Sequence, residues 1–206
     1  METPFPLSCT AFLGSRRLAA GSLASVAVAV KRALEADPQG SALVFDDAGG
    51  RVIDLDLRGT EADLLARLAP PPEAPRGRGR PRLGVVPREV TLLPRHWEWL
   101  NTQPGGASVA LRRLVEEARR ARKDVDRLRS AQEAAYRFMS ALAGDQPGFE
   151  EASRALFAGD AERFGEHSAP WPADVRRHVL FLAGPALGRD GRPGPDSQGG
   201  EDGSGI

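Results

Sequence analysis

The sequence has very little cysteine, and this scarcity excludes sites that depend on several thiols. Cys9 is the single cysteine among 206 residues. One thiol cannot close an internal disulfide or complete a structural zinc site. The sequence therefore predicts a protein of the reducing cytoplasm that is held together without disulfides or structural zinc.

Long apolar runs are also missing. The longest candidate, residues 23–30, is interrupted by Ser25 and falls well short of the roughly 20 apolar residues that a membrane helix needs. The first six residues have neither the basic start nor the apolar segment of a secretory signal. We therefore expect no membrane partner and a cytoplasmic location.

Side chains for catalysis are few and scattered. His96, His167 and His178 are far apart, and none has a cysteine or carboxylate nearby at metal-ligand spacing. The glycine pair at 49–50 lies in a predicted hairpin, so it does not form a phosphate loop. Four carboxylates could in principle hold Mg²⁺, although turn formation and solubility explain them more simply: Asp46, Asp47, Asp54 and Asp56. The sequence therefore predicts no enzyme and no cofactor.

Charge is abundant and unevenly distributed. Lys+Arg and Asp+Glu are equal at 28 each. Residues 1–73 carry 7 − 10 = −3, residues 74–130 carry 14 − 6 = +8, and residues 131–206 carry 7 − 12 = −5. A GC-rich genome explains the excess of 26 arginines over 2 lysines, but it does not explain why the arginines cluster. A basic block between acidic flanks predicts a polyanionic partner.

Residues 8–69 are predicted to form a small α+β domain. The pair at 14–15 has the composition of a hairpin turn between two apolar segments. Ser22 is placed to cap a helix that carries Val26 and Val30 on one face. Residues 42–45 and 52–57 predict a second hairpin, and Thr60 opens a capping box ahead of a short helix. We expect a three- or four-stranded antiparallel sheet with two helices on one face.

The carboxyl-terminal part is predicted to be helical over residues 131–184 and disordered over 185–206. Apolar residues recur with helical spacing from Ala135 to Leu142, and Gly144 ends that helix. Further helices are predicted at 149–157 and 173–182, with Asp160 capping a short turn between them. The tail is rich in glycine and has no hydrophobic pattern.

Residues 70–86 form a Pro/Arg/Gly linker with the run Arg78-Gly79-Arg80-Pro81 near its centre. This Arg-Gly-Arg-Pro segment resembles the core of the AT-hook. The resemblance implies that arginines reach along the floor of a narrow A·T minor groove, while glycine lets the backbone lie deep in it. The alternative is a plain linker of the same composition. One hook binds weakly, so it would add affinity to another module. The expected DNA contacts are Arg76, Arg78, Gly79, Arg80, Pro81 and Arg82.

Residues 87–129 resemble the ribbon-helix-helix family of bacterial DNA-binding proteins. A short strand at 88–93 ends at Pro94, which suits the first position of a helix. That helix is broken at 104–106, and Ser108 is placed to cap the second helix. The run at 119–129 extends the second helix with charge on most faces, which is typical of a solvated helix and, alternatively, of phosphate contacts. The whole chain is thus α+β, with a ribbon-helix-helix-like strand-helix-helix at its centre.

The resemblance implies a homodimer, because two chains of that family pair their strands into an antiparallel ribbon. An unpaired strand of this kind would not be stable alone. The ribbon enters the major groove, and the amino end of the second helix points at a phosphate. Contacts with DNA are then expected from Arg88, Val90, Leu92, Ser108, Val109, Arg112 and Arg113. The dimer interface is expected to contain Leu93, Trp97, Leu100, Leu111, Leu114 and Val115.

The strand departs from the family pattern on its DNA-facing side. If Leu93 faces the core, then Arg88, Val90 and Leu92 face the DNA. In the opposite phase Val90 and Leu92 are buried, and the outward set is Glu89, Thr91 and Leu93. Neither phase supplies three polar side chains for base contacts, so the unit either binds DNA with low sequence preference or serves to dimerise.

Over its length, from Cys9 to about Ala186, the chain is similar to a bacterial family known as domain of unknown function 2239. The segments that carry this resemblance are residues 43–47, 89–100 and 131–139. The resemblance implies a shared architecture and a bacterial source, but no activity.

The sequence therefore predicts a dimeric bacterial DNA-binding protein, either a transcriptional regulator or a nucleoid-associated factor. The acidic amino- and carboxyl-terminal regions are possible contacts for a protein partner. The alternative is a protein–protein adaptor or antitoxin-like module whose central segment only dimerises.

The hook hypothesis is tested by changing Arg78 and Arg80 together to alanine. We expect affinity for an A·T-rich duplex to fall by about tenfold more than affinity for a G·C-rich one, because the arginines contact the A·T groove floor. Gel retardation measures both affinities. The control removes the same charge from the tail, at Arg189 and Arg192. An equal loss on the two duplexes would make the segment a plain electrostatic tether.

Overall fold

The computed structural model describes residues 8–69 and 86–188. The Arg-Gly-Arg-Pro segment and nearly all of the predicted tail lie outside the described residues. The α+β class is confirmed. In chain order the described elements are β1 (Ser8–Leu13), β2 (Arg16–Ser22), α1 (Leu23–Ala36), β3 (Ala42–Asp46), α2 (Glu61–Leu68), α3 (Pro94–Asn101), α4 (Gly106–Leu142), α5 (Phe149–Ala158), α6 (Ala161–His167) and α7 (Ala173–Ala183).

The chain divides into two compact units. The larger unit combines residues 1–68 with residues 127–206, and the smaller unit is the intervening stretch 69–126. The amino-terminal domain and the carboxyl-terminal helices, which the sequence separates, therefore belong to one unit.

The larger unit contains a three-stranded sheet in the order β2-β1-β3, and both pairings are antiparallel. The predicted hairpin is confirmed: β1 and β2 are joined through Gly14, whose φ of +57° suits glycine. β1 is the central strand, and its residues Cys9, Thr10, Ala11 and Phe12 are all buried. Since successive side chains of a strand point to opposite faces, β1 needs a cover on both sides.

The α1 side of the sheet carries the core that the sequence predicts. Cys9, Ala11 and Val44 cluster there with Val26 and Val30 of α1. The apolar residues that alternate between 53 and 57 are partly buried against the same cluster, namely Ile53, Leu55 and Leu57.

The predicted strand at 52–57 is wrong beyond its first residues. It keeps one bridge, between Phe45 and Val52, and one hydrogen bond from the Ile53 amide to the Val44 carbonyl at 2.7 Å. Farther on, side chains satisfy the backbone carbonyls. Lys31 donates to the Leu57 carbonyl at 3.1 Å, and Arg67 donates to the Asp56 carbonyl at 2.8 Å. Alternate side chains of the segment therefore still point towards the core, although its backbone does not form the hydrogen bonds of a β-strand.

Aromatic side chains fill the opposite side of the sheet. Phe12 and Phe45 lie 5.2 Å and 4.8 Å, between ring centroids, from Phe138 of α4. The same cluster includes Leu156 of α5 and Val179 of α7. The sheet thus lies between α1 and the carboxyl-terminal helices.

Three predicted helix caps are confirmed. The Ser25 amide donates to the Ser22 hydroxyl at 3.2 Å, and the Arg163 amide donates to the Asp160 carboxylate at 3.0 Å. Thr60 and Asp63 form a reciprocal capping box, in which each backbone amide donates to the other side chain.

The predicted division between residues 129 and 131 falls inside a helix, because α4 runs unbroken for 37 residues, and the two compact units divide nearby, between Asp126 and Arg127. From 107 to 142 the sequence contains no glycine or proline, so nothing in it stops the helix. The smaller unit and the larger unit therefore share one helix.

The turn at 46–50 is pressed against α4. Gly50 has a φ of +63°, and a Cβ atom at this position would collide with the carbonyl oxygen of Ala134. Arg137 donates to the Gly49 carbonyl at 3.0 Å. Only glycine satisfies both the backbone angle and the close approach.

His178 of α7 is buried among the rings. It is 6% exposed, and its centroid lies 4.6 Å from that of Phe138. Its Nε2 lies 3.7 Å from the Asp47 carboxylate, too far for a hydrogen bond, and that carboxylate accepts hydrogen bonds from Ser8 and Thr10. Burial lowers the pKa of His178 from 6.5 to about 4.

This shift predicts a pH dependence of stability. Below pH 6.5 the unfolded chain binds a proton at His178, whereas the folded chain does not until about pH 4. Stability is therefore full above pH 6.5 and falls as the pH approaches 4, by about 3 kcal/mol from this group. Urea unfolding of the protein and of His178→Phe at about pH 7 and 4.5 measures the difference. Equal losses in both proteins would contradict the assignment.

Candidate nucleic-acid interface

The described part of the smaller unit, residues 86–126, contains α3, a tight turn and the beginning of α4. Pro94 occupies the first turn of α3 as predicted, and Leu93 before it is extended. The predicted break at 104–106 is confirmed. There, Gly105 and Gly106 have φ values of +82° and +76°, and Thr102 donates to the Trp99 carbonyl at 2.8 Å. Glycines in the left-handed region let the chain reverse within a few residues.

The segment at 88–93 is not a strand in the single chain. Arg88 and Val90 are exposed, and Leu92 is half-buried. The segment has no regular secondary structure because a strand needs a hydrogen-bonded neighbour, and the described residues supply none. Pairing of this segment with a second copy stays a prediction.

The expected phosphate site at the amino end of α4 needs one correction. The helix begins at Gly106, so Ser108 lies within the first turn and is not the capping residue. Because Gly106 can take the positive φ at the helix start, α4 begins two residues earlier in the chain than Ser108. Ser108 and Val109 remain exposed in the first turn, where helix amides lack intrahelical partners. Arg112 donates to the Ser108 carbonyl at 3.1 Å, which holds its guanidinium beside this end.

Most of the predicted dimer contacts are exposed in the single chain. Leu93 is 50% exposed, Trp97 36% and Val115 64%. Leu114 is also exposed and Leu111 is half-buried. Leu100 is instead 3% exposed, so its side chain is used within the single chain. Across residues 86–126 only Leu100 and Ala110 are buried, so most of the large apolar side chains of this stretch lie at the surface among charged ones.

Much of the positive charge on α4 is paired locally. Glu116 accepts a hydrogen bond from Arg119 at 3.0 Å and lies 3.4 Å from Arg120. The hydrogen bond from Arg119, and to a smaller extent the charge of Arg120, lower the pKa of the Glu116 carboxyl. Arg113 lies 3.7 Å from Glu117. These are the i,i+3 and i,i+4 pairs of a solvated helix, so the charged run has the conformation that its pattern predicts.

The acidic residues near the second predicted turn are engaged in local contacts. Asp46 accepts from the amides of Ala48 and Gly49, which is the turn chemistry that the sequence predicts. Asp56 pairs with Arg58 at 2.8 Å. Within residues 8–69 and 86–188, no group of three or more His, Cys, Asp or Glu side chains is arranged to hold a metal.

Two exposed apolar residues farther along α4 are not among the residues predicted from the sequence. Val125 is 65% exposed and Leu128 is 43% exposed. Their spacing from Leu114 and Ala118 is the signal that would have identified them.

The fold and the surface define a small α+β protein with an inserted helical unit. Comparison of the sequence with known families identifies it further. The chain belongs to a family described as uncharacterized protein conserved in bacteria (DUF2239), whose model matches residues 8–183. Neither the curated proteins nor the solved structures gave a match. None of the described helices is both long enough and apolar enough to cross a membrane.

Replacement of Leu93 by aspartate tests the ribbon. Aspartate is favoured before the first turn of a helix, so α3 should be retained in the single chain. In a paired ribbon the carboxylate would be buried without a partner, which should raise the dimer dissociation constant by about tenfold or more. Light scattering over a dilution series measures the constant.

The matched control is Val86→Asp, since Val86 is also 50% exposed but precedes the predicted strand. An unchanged dissociation constant for Leu93→Asp would refute ribbon pairing.

Proposed function

We propose that this protein binds DNA as a homodimer and acts as a bacterial transcriptional regulator or nucleoid-associated factor. The observation that carries the proposal is the exposed apolar surface of the smaller unit, which directly follows the Arg-rich linker. Val90, Leu93 and Trp97 are exposed beside a backbone segment that has no partner strand among the described residues. A surface of this kind favours association with a complementary surface.

Dimerisation supports DNA binding by bringing two weak modules together. Each copy contributes one hook at residues 76–82, and the second hook engages at the effective concentration that the first one sets. The exposed first turn of α4, with Ser108, Val109 and Arg112, offers backbone amides and a positive dipole end to a phosphate. The hook then supplies preference for A·T tracts, and the helix end supplies contacts with the backbone of the DNA.

The acidic flanks fit a separate role. Residues 1–73 and 131–206 carry −3 and −5, so they would be repelled by the phosphates that the central block attracts. We assign contacts with protein partners, or regulation, to these regions.

An adaptor or antitoxin-like module is the second candidate, and two observations favour it. In one phase the DNA-facing side of the strand contains Val90 and Leu92, which offer no hydrogen bonds to base edges. In addition, Arg113, Arg119 and Arg120 are engaged with glutamates of their own helix. In this candidate the central segment dimerises and does no more.

The salt dependence of binding separates the two candidates. Each phosphate that the protein neutralises releases counterions, so affinity for an A·T-rich duplex should fall by about a thousandfold between roughly 50 and 200 mM salt if some six phosphates are contacted. Gel retardation with the full chain measures it. Failure to retard the duplex at about 50 mM salt would reject DNA binding and leave the adaptor.

A further inference from the structure

The exposed part of α4 carries a regular apolar stripe. Leu114, Ala118, Ala121, Val125 and Leu128 follow one another at intervals of four, three, four and three residues. This is the a/d spacing of a coiled coil, with Ala118 and Val125 at a and the other three at d. Leu111 occupies the preceding a position. We call these six residues the α4 seam.

The α4 seam is open in the single chain. Leu114 is 37% exposed, Val125 65% and Leu128 43%. Ala118 and Ala121 are exposed as well. The next a position is the polar Gln132, and beyond it Ala135 at d and Met139 at a are fully buried within the larger unit. The stripe is therefore covered by the chain itself after residue 131, whereas before residue 129 it has no cover among the described residues.

Charged residues flank the seam in a defined order. Two g positions are acidic, Glu117 and Asp124, and two e positions are basic, Arg122 and Arg129, while the first e position is Val115. In a parallel pair each g residue faces the e residue five positions later on the other helix. Glu117 would then face Arg122 of the second copy, and Asp124 would face Arg129. In an antiparallel pair g faces g and e faces e, so like charges would meet.

We propose that residues 111–131 of α4 pair with the same residues of a second copy in a parallel, two-stranded coiled coil. The occupant is a second copy because the pattern is complementary to itself in this orientation. Across the described ranges, neither Arg122 nor Asp124 forms an ion pair in the single chain. The pairing supplies a partner to both.

The residue types in the α4 seam favour a coiled coil of two helices. A β-branched residue at a, Val125, and leucine at d, Leu114 and Leu128, favour dimers in parallel coiled coils. Alanine at 118 and 121 lets the helices approach closely. Three heptads are marginal alone, so this contact adds to other contacts of the dimer. The two-fold axis of a parallel helix pair runs along the helices, and that of an antiparallel ribbon runs perpendicular to the strands. One two-fold axis can therefore relate the two copies in both the coiled coil and the ribbon.

The coil also decides which arginines stay available. The b, c and f positions point away from the seam and include Arg112, Arg113, Arg119, Arg120 and Lys123. These side chains would remain on the outside of the dimer. The proposed coiled coil is argued from α4 alone. A finding that the protein does not bind DNA would therefore leave this proposal unchanged.

Cysteine cross-linking tests the pairing and its direction. In a parallel pair in register, the two copies of a Val125→Cys variant place their Cα atoms about 6 Å apart, within reach of a disulfide. We expect mild oxidation to join most chains of the full-length variant, as seen by non-reducing electrophoresis. Cys9 is fully buried and does not compete. The control, Lys123→Cys, lies at an outer f position and should remain unjoined.

An antiparallel pair would place Val125 opposite a different residue, and a partner other than a second copy would leave Val125→Cys unjoined. Failure to join, or equal joining of both variants, would overturn the proposal.

Reversal of the flanking charges gives a second readout. Glu117→Arg with Asp124→Arg makes all four charged flanking positions basic and should raise the dimer dissociation constant by about tenfold. Adding Arg122→Glu and Arg129→Glu restores opposite charges and should restore the dimer. Circular dichroism verifies that helix content is kept. If the first variant dimerises as tightly as the original chain, the proposed e/g pairing is wrong.

Discussion

The requirement that β1 be covered on both faces determines how the larger unit is built. Cys9 and Ala11 are covered by α1, which follows soon in the chain, but Phe12 and the neighbouring Phe45 have no local cover. Phe138, more than ninety residues later, supplies it. Because burying a phenylalanine is worth roughly 2–3 kcal/mol, this contact joins the two ends of the described chain into one core. The smaller unit is consequently an insertion between two halves of the same body.

The features of the fold that depend on neighbours in sequence could be predicted, and those that depend on distant contacts could not. The hairpin at Gly14, the caps at Ser22 and Asp160, and the capping box at Thr60 each involve residues within a few positions of one another. The segment after Val52 has an equally clear strand pattern, yet Lys31 and Arg67 take its carbonyls. Gly50 looks like an ordinary turn residue, and only its contact with Ala134 shows why no side chain fits.

The candidate interface shows the same limit. The proline and glycine positions around α3 could be predicted, because these residues restrict the backbone by themselves. The cap at Ser108 was misplaced because Gly106 starts the helix earlier. Residues 88–93 are not a strand in the single chain, and the predicted strand would need a second chain to pair with. Membership of a family conserved in bacteria establishes the shared sequence and leaves the activity to be tested.

The separation of Phe12 from Phe138 also has a consequence for synthesis on the ribosome. The amino-terminal strands leave the exit tunnel with one apolar face uncovered, and they keep it uncovered until residues after 127 have been made. The smaller unit emerges during that interval. Translation thus produces the segment that we propose to dimerise before the larger unit can close, and such a dimer would then form more readily between neighbouring nascent chains on one messenger RNA than between finished proteins.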